Sequence, residues 1–96
     1  MKPDIIALIP YGDSNRITST EIRKITNIGG ANIRKIVNES RAKFVPIASD
    51  DKGYYIAETP DELNHTIAQL NSRIHKMIQA REGLKKAQKR MREAKQ

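Results

Sequence analysis

The sequence predicts an α+β fold in which three short helices and a β-hairpin are followed by one long helix. Three patterns support this prediction. A capping box precedes an amphipathic run over residues 19–26, a polar turn separates two β-prone runs over residues 44–58, and a heptad pattern begins at Leu63. We therefore expect a globular segment over residues 1–58 and a long terminal helix over residues 59–96.

The first two helices are predicted from their start signals. A short helix fits residues 3–9, where Pro3 suits the first turn and isoleucines supply the buried side. The next helix fits residues 19–26, because Thr18 and Glu21 have the Ser/Thr-x-x-Glu spacing of a capping box.

A third helix is predicted over residues 30–41 after a turn made by residues 27–30. Asn and Gly in that turn tolerate the left-handed backbone that a tight turn requires. Ile33 and Val37 lie on one face of the third helix, and polar residues occupy the other face. Two short helices joined by a glycine-containing turn have the layout of a helix-turn-helix.

The predicted hairpin combines residues 44–49 with residues 54–58. Its tip is expected at residues 51–52, which places Ile47 opposite Ile56 on the face that meets the core.

The terminal helix has the clearest start signal, with Thr59 as N-cap and Pro60 at the first helical position. We expect it to pack on the globular segment through about Leu70 and to project beyond that residue. Gly83 predicts fraying or a bend near residues 81–84, because glycine costs about 1 kcal/mol in a helix interior.

Composition excludes several classes of protein. The chain has no cysteine, which excludes a disulfide-stapled secreted fold and a cysteine-based zinc site. Its longest apolar run is too short for a membrane span. The histidines, serines and threonines form no catalytic or ligand pattern, so we expect no enzyme, no cofactor and no metal. A cytoplasmic protein without a membrane partner is the expectation.

The positive charge is concentrated at one end. Residues 1–72 hold nine basic and nine acidic residues, whereas residues 73–96 hold nine basic and two acidic residues, which is the whole net charge of +7. Such asymmetry points to nucleic acid or to an acidic partner surface.

The order of these elements resembles the winged helix-turn-helix family, most closely the small winged-helix proteins of phages and prophages of Gram-positive bacteria. The matching stretches are residues 17–22, residues 33–41, and residues 46–49 with 52–58. The resemblance implies a sequence-specific double-stranded DNA-binding protein of the bacterial host's cytoplasm. It would act as a phage-type transcriptional regulator or as a replication or recombination accessory, with helix 30–41 in the major groove and the hairpin as wing.

A recognition helix needs short polar or basic side chains that face a groove, since Arg and Lys pair with guanine edges and Asn pairs with adenine. A helix start and a wing tip add phosphate contacts. The candidate DNA-binding residues are Ser19, Thr20, Gly30, Ala31, Asn32, Arg34, Lys35, Asn38, Arg41, Lys52 and Tyr54.

Plainer interpretations stay open for these residues. The polar residues of helix 30–41 can be the solvated face of a surface helix, Ser19 and Thr20 can serve only in capping, and Lys52 can belong to a simple turn between acids. The neutral globular segment also fits an alternative function, a protein-interaction module on a winged-helix scaffold that inhibits or recruits a host or phage protein.

Three interpretations compete for the basic end of the terminal helix. It can be a solvated helix end, a non-specific attachment to phosphates or a partner, or the interface of a homodimeric coiled coil. The candidate phosphate or partner contacts are Arg73, Lys76, Arg81, Lys85, Lys86, Lys89 and Arg90. The candidate helix interface comprises Ile74, Met77 and Ile78.

Overall fold

The computed structural model of the protein describes residues 4–94, so Pro3 of the first predicted helix lies outside the described residues. The architecture is α+β, as the sequence predicts, and the chain forms two compact units, Met1–Thr66 and Ile67–Gln96. The elements in chain order are α1 (Ile5–Leu8), α2 (Ser19–Thr26), α3 (Gly30–Ala42), β1 (Ile47–Asp50), β2 (Gly53–Ile56), a 3₁₀ turn (Pro60–Leu63) and α4 (Asn64–Ala94).

The first helix, α1, is shorter than the predicted range of 3–9. Asp4 caps its N-terminus by accepting a hydrogen bond from the N–H of Ile6 at 3.0 Å. The helix ends before Ile9, whose backbone is extended. Ile9 precedes Pro10, and a residue before proline is sterically biased away from the helical conformation.

The two helices predicted on either side of the glycine-containing turn are confirmed as α2 and α3. The Thr18 hydroxyl accepts the N–H of Glu21 at 3.1 Å, and the Glu21 carboxylate accepts the N–H of Thr18 at 3.2 Å, so both halves of the capping box form. Asn27 adopts the left-handed conformation with φ of 59° and ends α2. The next helix continues to Ala42, one residue past the predicted end.

The C-terminus of α3 ends in a capping motif whose left-handed residue is of an unusual type. The N–H of Val45 donates to the carbonyl of Ser40 at 3.1 Å, and the N–H of Phe44 donates to that of Arg41 at 3.0 Å. These two bonds are those of a Schellman motif, whose left-handed residue is usually glycine. Here it is Phe44, with φ of 72° and a side chain that is 94% exposed.

We therefore expect Phe44→Gly to stabilise the first unit by about 1 kcal/mol, because glycine adopts this backbone conformation without a steric cost. The exposed ring contributes little packing that the change would remove. Urea unfolding followed by tyrosine fluorescence measures the gain. Lys43→Gly is the control, since Lys43 has φ of −97° and gains nothing from glycine's freedom; a loss of stability in Phe44→Gly would contradict the strain argument.

The hairpin has the predicted register, although its strands are shorter than the two predicted runs. Ile47 pairs with Ile56 and Ser49 pairs with Tyr54, with the turn at residues 51–52. A third segment joins this pair, because Ile17 forms an antiparallel bridge with Tyr54 through two backbone hydrogen bonds of 3.0 and 2.8 Å. The segment between α1 and α2 thus lies beside β2.

The core of the first unit lies between the three helices and one face of the hairpin. Ile47 and Ile56 are 1% and 7% exposed, as their predicted orientation requires. The other face of the hairpin is covered as well, since Ala48 and Tyr55 are also buried. The buried hydrophobic cluster comprises Ile5, Ile9, Ile22, Ile33, Val37, Ile47 and Ile56.

The predicted start of the terminal helix needs a correction. Pro60–Leu63 forms a 3₁₀ turn, and α4 begins only at Asn64. The hydroxyl of Thr59 donates to the Glu62 carboxylate at 3.3 Å. One turn into α4, the buried hydroxyl of Thr66 accepts the N–H of Ser49 at 3.0 Å and donates to the carbonyl of Ser49 at 3.2 Å.

Within the described residues, α4 continues without a break through Gly83 to Ala94, so the fraying predicted near residues 81–84 does not occur. Its 31 residues correspond to about 46 Å at the helical rise. The neighbours of Gly83 are mostly Ala, Leu, Lys and Glu, which favour helix and offset a glycine cost of about 1 kcal/mol.

Candidate nucleic-acid interface

The outward face of α3 carries a row of small and polar side chains. Ile33 and Val37 are 0% and 1% exposed, and they hold the inner face of the helix on the core. The helical period therefore turns Ala31, Lys35 and Asn38 to the opposite side, where all three are exposed. This row is continuous along the first two and a half turns of α3.

The two flanks of this row differ in charge. On one flank, Arg34 reaches back along the first turn of α3, and its guanidinium comes close to Gly30. On the other flank, Asn32 lies with Lys35 and the exposed Glu39 in a shallow depression next to the turn between α2 and α3. One edge of the face is therefore basic, and the other contains a carboxylate.

The N-terminus of α2 exposes two hydroxyl groups. Since Thr18 provides the cap, Ser19 and Thr20 are not needed for capping, and both are exposed on the first turn. Hydroxyl and N–H groups at a helix N-terminus suit an anion such as phosphate.

Arg41 and Tyr54 are placed differently from the other candidates. The Arg41 guanidinium donates to the carbonyl of Ile47 at 2.9 Å, to the Ser49 hydroxyl at 3.0 Å and to the Asn38 side chain at 3.2 Å. These bonds tie the end of α3 to β1. Tyr54 is half-buried against the core. Neither side chain belongs to the exposed row on α3.

The hairpin tip combines an exposed cation with a neutralised acid. Lys52 is exposed, and its N–H donates to Asp50 at 2.9 Å. The other oxygen of Asp50 accepts two bonds from Arg16, of 2.9 and 2.8 Å. Burial alone would raise the pKa of Asp50, but the Lys52 N–H and the Arg16 guanidinium outweigh it and hold that pKa below its usual value. Asp51 stays exposed beside them.

Sequence reasoning missed Arg16. Its guanidinium lies 5.1 Å from the centre of the Tyr55 ring in addition to pairing with Asp50. No local pattern signals this contact, because Arg16 and Asp50 are 34 positions apart and meet only when the Ile17 segment pairs with the hairpin.

Between residues 67 and 94, every basic residue of α4 is exposed. Arg81 and Lys85 form surface ion pairs with Glu82 at 3.1 and 3.8 Å. The predicted interface residues are also uncovered, with Ile74, Met77 and Ile78 being 54%, 71% and 42% exposed. The side chains of residues 73–94 thus present both cations and apolar groups to water.

Residues 4–94 contain no cluster of three or more acidic or histidine side chains that could hold a metal ion. None of the helices in the same range is long and apolar enough to cross a bilayer.

In comparisons with known proteins, no protein family, no curated protein and no solved structure matches this chain.

Proposed function

We propose that the protein is a winged helix-turn-helix protein that binds double-stranded DNA sequence-specifically through α3. The order of elements supports the winged-helix assignment: a helix, a bridging segment, two helices joined by a tight turn, and a hairpin whose second strand pairs with that segment. In such a fold the second helix of the pair enters the major groove and the hairpin contacts the flanking backbone.

The observation that carries the proposal is the exposed row formed by Ala31, Lys35 and Asn38 on a helix whose inner face is fixed by the core. Lys can pair with guanine, Asn with adenine, and Ala can contact a thymine methyl group. Arg34 on the basic flank and the hydroxyls of Ser19 and Thr20 are suited to phosphates. Arg41 would act indirectly, because its guanidinium orients the end of α3 on β1.

The biological role that fits this proposal is a regulator of a phage-like element or an accessory of its replication or recombination, acting in the cytoplasm of the bacterial host. The row on α3 would supply the specificity. The cations of α4 would add salt-dependent affinity without sequence information.

The test begins with the selection of bound sequences from random duplex DNA by the full chain. We expect Lys35→Ala and Arg34→Ala each to weaken binding to the selected duplex by about 1–3 kcal/mol, which is about 5- to 150-fold. Fluorescence anisotropy on the selected and on a scrambled duplex measures the ratio of the two affinities. Lys35→Ala should lower that ratio.

Lys24→Ala is the matched control, since it removes the same charge from the exposed last turn of α2. We expect it to leave the ratio of selected to scrambled affinity unchanged. An unchanged ratio in Lys35→Ala would refute the assignment of α3 as the recognition helix.

A second candidate function is favoured by exposed acids that lie next to candidate DNA-binding residues. Glu39 lies beside Asn32 and Lys35, and Asp51 is exposed at the hairpin tip. Carboxylates repel phosphates, so this edge suits a protein surface better than a DNA backbone. A gel shift at moderate salt, run beside an affinity pull-down from cell lysate, separates the two functions: no retarded DNA with one dominant captured protein would favour the interaction module.

A further inference from the structure

The second unit exposes a continuous apolar strip that α3 and the hairpin do not explain. Ile74, Met77, Leu84 and Met91 are 54%, 71%, 72% and 65% exposed on α4. Ala80 and Ala87 lie between them at spacings of three and four residues, so the strip follows one side of the helix. We call these six residues the α4 strip.

Cations border the α4 strip, and the acids of α4 lie elsewhere on the helix. We number the heptad so that Ile74 is at position a and Met77 is at position d. The e positions that follow Ile78 are then Lys85 and Arg92, and the next a position is Arg81. Glu82 and Glu93 fall at b and f, which point away from the seam. Glu82 pairs with Arg81 and Lys85 across the surface, but such exposed pairs are weak.

A second copy of the chain is a poor occupant of this strip. From residue 67 to residue 94 none of the a, d, e or g positions holds an acid, so no register of two copies brings a carboxylate to Lys85 or Arg92. A parallel pair would also place Arg81 against its own counterpart. Like charges at a seam oppose pairing, and coiled coils select partners through opposite charges at e and g.

Nucleic acid would contact the cations beside the α4 strip but not the apolar residues of the strip. Phosphates could neutralise the cations of α4, but a duplex backbone offers nothing apolar to cover Met77, Leu84 and Met91. A partner that covers the strip and neutralises its border must itself be apolar along one line and acidic beside that line.

We propose that the α4 strip binds an acidic amphipathic helix of a partner protein as a heteromeric coiled coil. This surface is separate from α3, so the inference extends beyond the proposed DNA binding and does not depend on it. The partner helix has apolar residues at a and d and carboxylates at e and g. It spans about two and a half heptads, which is the length from Ile74 to Met91.

The experiment titrates the full-length protein with a labelled designed peptide of about four heptads that has Ile at a, Leu at d and Glu at e and g. A second peptide, with Lys in place of every Glu, is the charge-reversed control. Fluorescence anisotropy measures both affinities. We expect saturable one-to-one binding of the Glu peptide and none of the Lys peptide over the same concentrations.

Three variants locate the contact. Leu84→Ser removes an exposed apolar group, and circular dichroism checks that the helix is retained. The double variant Lys85→Glu, Arg92→Glu (the border variant) reverses the charge beside the strip. The double variant Lys86→Glu, Lys89→Glu changes the net charge by the same amount, but at positions f and b, which point away from the strip. We expect losses of about tenfold or more for the first two and less than about threefold for the third. The border variant should also gain binding to the Lys peptide.

Several results would overturn the proposal. Absence of saturable binding by the Glu peptide is one, and equal losses for the border variant and its charge-matched control are another, since they indicate diffuse attraction. Self-association in sedimentation without peptide, lost in Leu84→Ser, would assign the strip to a second copy. Displacement of the peptide by duplex DNA, with weaker DNA binding by Leu84→Ser, would assign it to nucleic acid.

Discussion

Ile22→Ala is expected to remove most of the stability of the first unit. Ile22 lies on the inner face of α2 and is 0% exposed, in contact with the cluster that joins α1, α3 and the hairpin. Truncating a buried isoleucine to alanine costs about 2–5 kcal/mol, from lost burial and from the cavity that remains. A unit of this size has only about 3–10 kcal/mol in total.

The measurement is urea unfolding followed by tyrosine fluorescence. All three tyrosines, Tyr11, Tyr54 and Tyr55, lie in the first unit, and the chain has no tryptophan, so this signal excludes most of α4. Ile25→Ala is a matched control on the same helix, because Ile25 is 62% exposed. We expect it to change the free energy of unfolding by less than about 0.5 kcal/mol. Similar effects of the two substitutions would mean that α2 does not pack as described.

Gly53→Ala is expected to destabilise the first unit by about 2–4 kcal/mol, because it combines backbone strain with a steric clash. Gly53 has φ of 132°, which disfavours any residue with a side chain. A Cβ atom there would lie 2.5 Å from the carbonyl oxygen of Ile17. That contact is with backbone, so relief requires the Ile17–Tyr54 bridge to open.

Amide hydrogen exchange tests this reason directly. Protection of the N–H groups of Ile17 and Tyr54, which form the bridge, should fall more than protection within α3. Gly29→Ser is the matched control in the same unit. Gly29 has φ of −69°, and a Cβ atom on it would meet no atom of another segment within 4 Å, so Ser fits and supplies the N-cap that α3 lacks. Retained bridge protection in Gly53→Ala would show that the segment is not held there.

The parts of the fold that the sequence predicted best are those with local signals. The limits of α2 follow from the capping box at Thr18 and from Asn27, and both groups act within one turn of the residues they cap. The hairpin register follows from the alternation that puts Ile47 opposite Ile56. In the candidate site, the exposure of Lys35 and Asn38 follows from the burial of Ile33 at helical spacing.

The parts that sequence reasoning missed are those that no local sequence pattern signals. Arg41 has the sequence signature of an outward-facing base, yet its guanidinium bonds to β1, six and eight residues further along the chain. Tyr54 is a candidate DNA contact from the sequence, whereas in the structure its ring is half-buried against the cluster that the helices form with the hairpin. No sequence signal predicts the left-handed backbone of Phe44, because that position at a helix C-terminus usually holds glycine and not an aromatic residue.

The sequence by itself therefore determined the α+β class, the order of the elements and the separation between a neutral globular part and a basic helix, because capping, periodicity and charge act over a few residues. Only the tertiary structure decided which polar side chains are engaged within the protein. It pairs Arg16 with Asp50, and it ties Arg41 both to β1 and to the side chain of Asn38. Those outcomes depend on which segments meet, and long-range packing sets that.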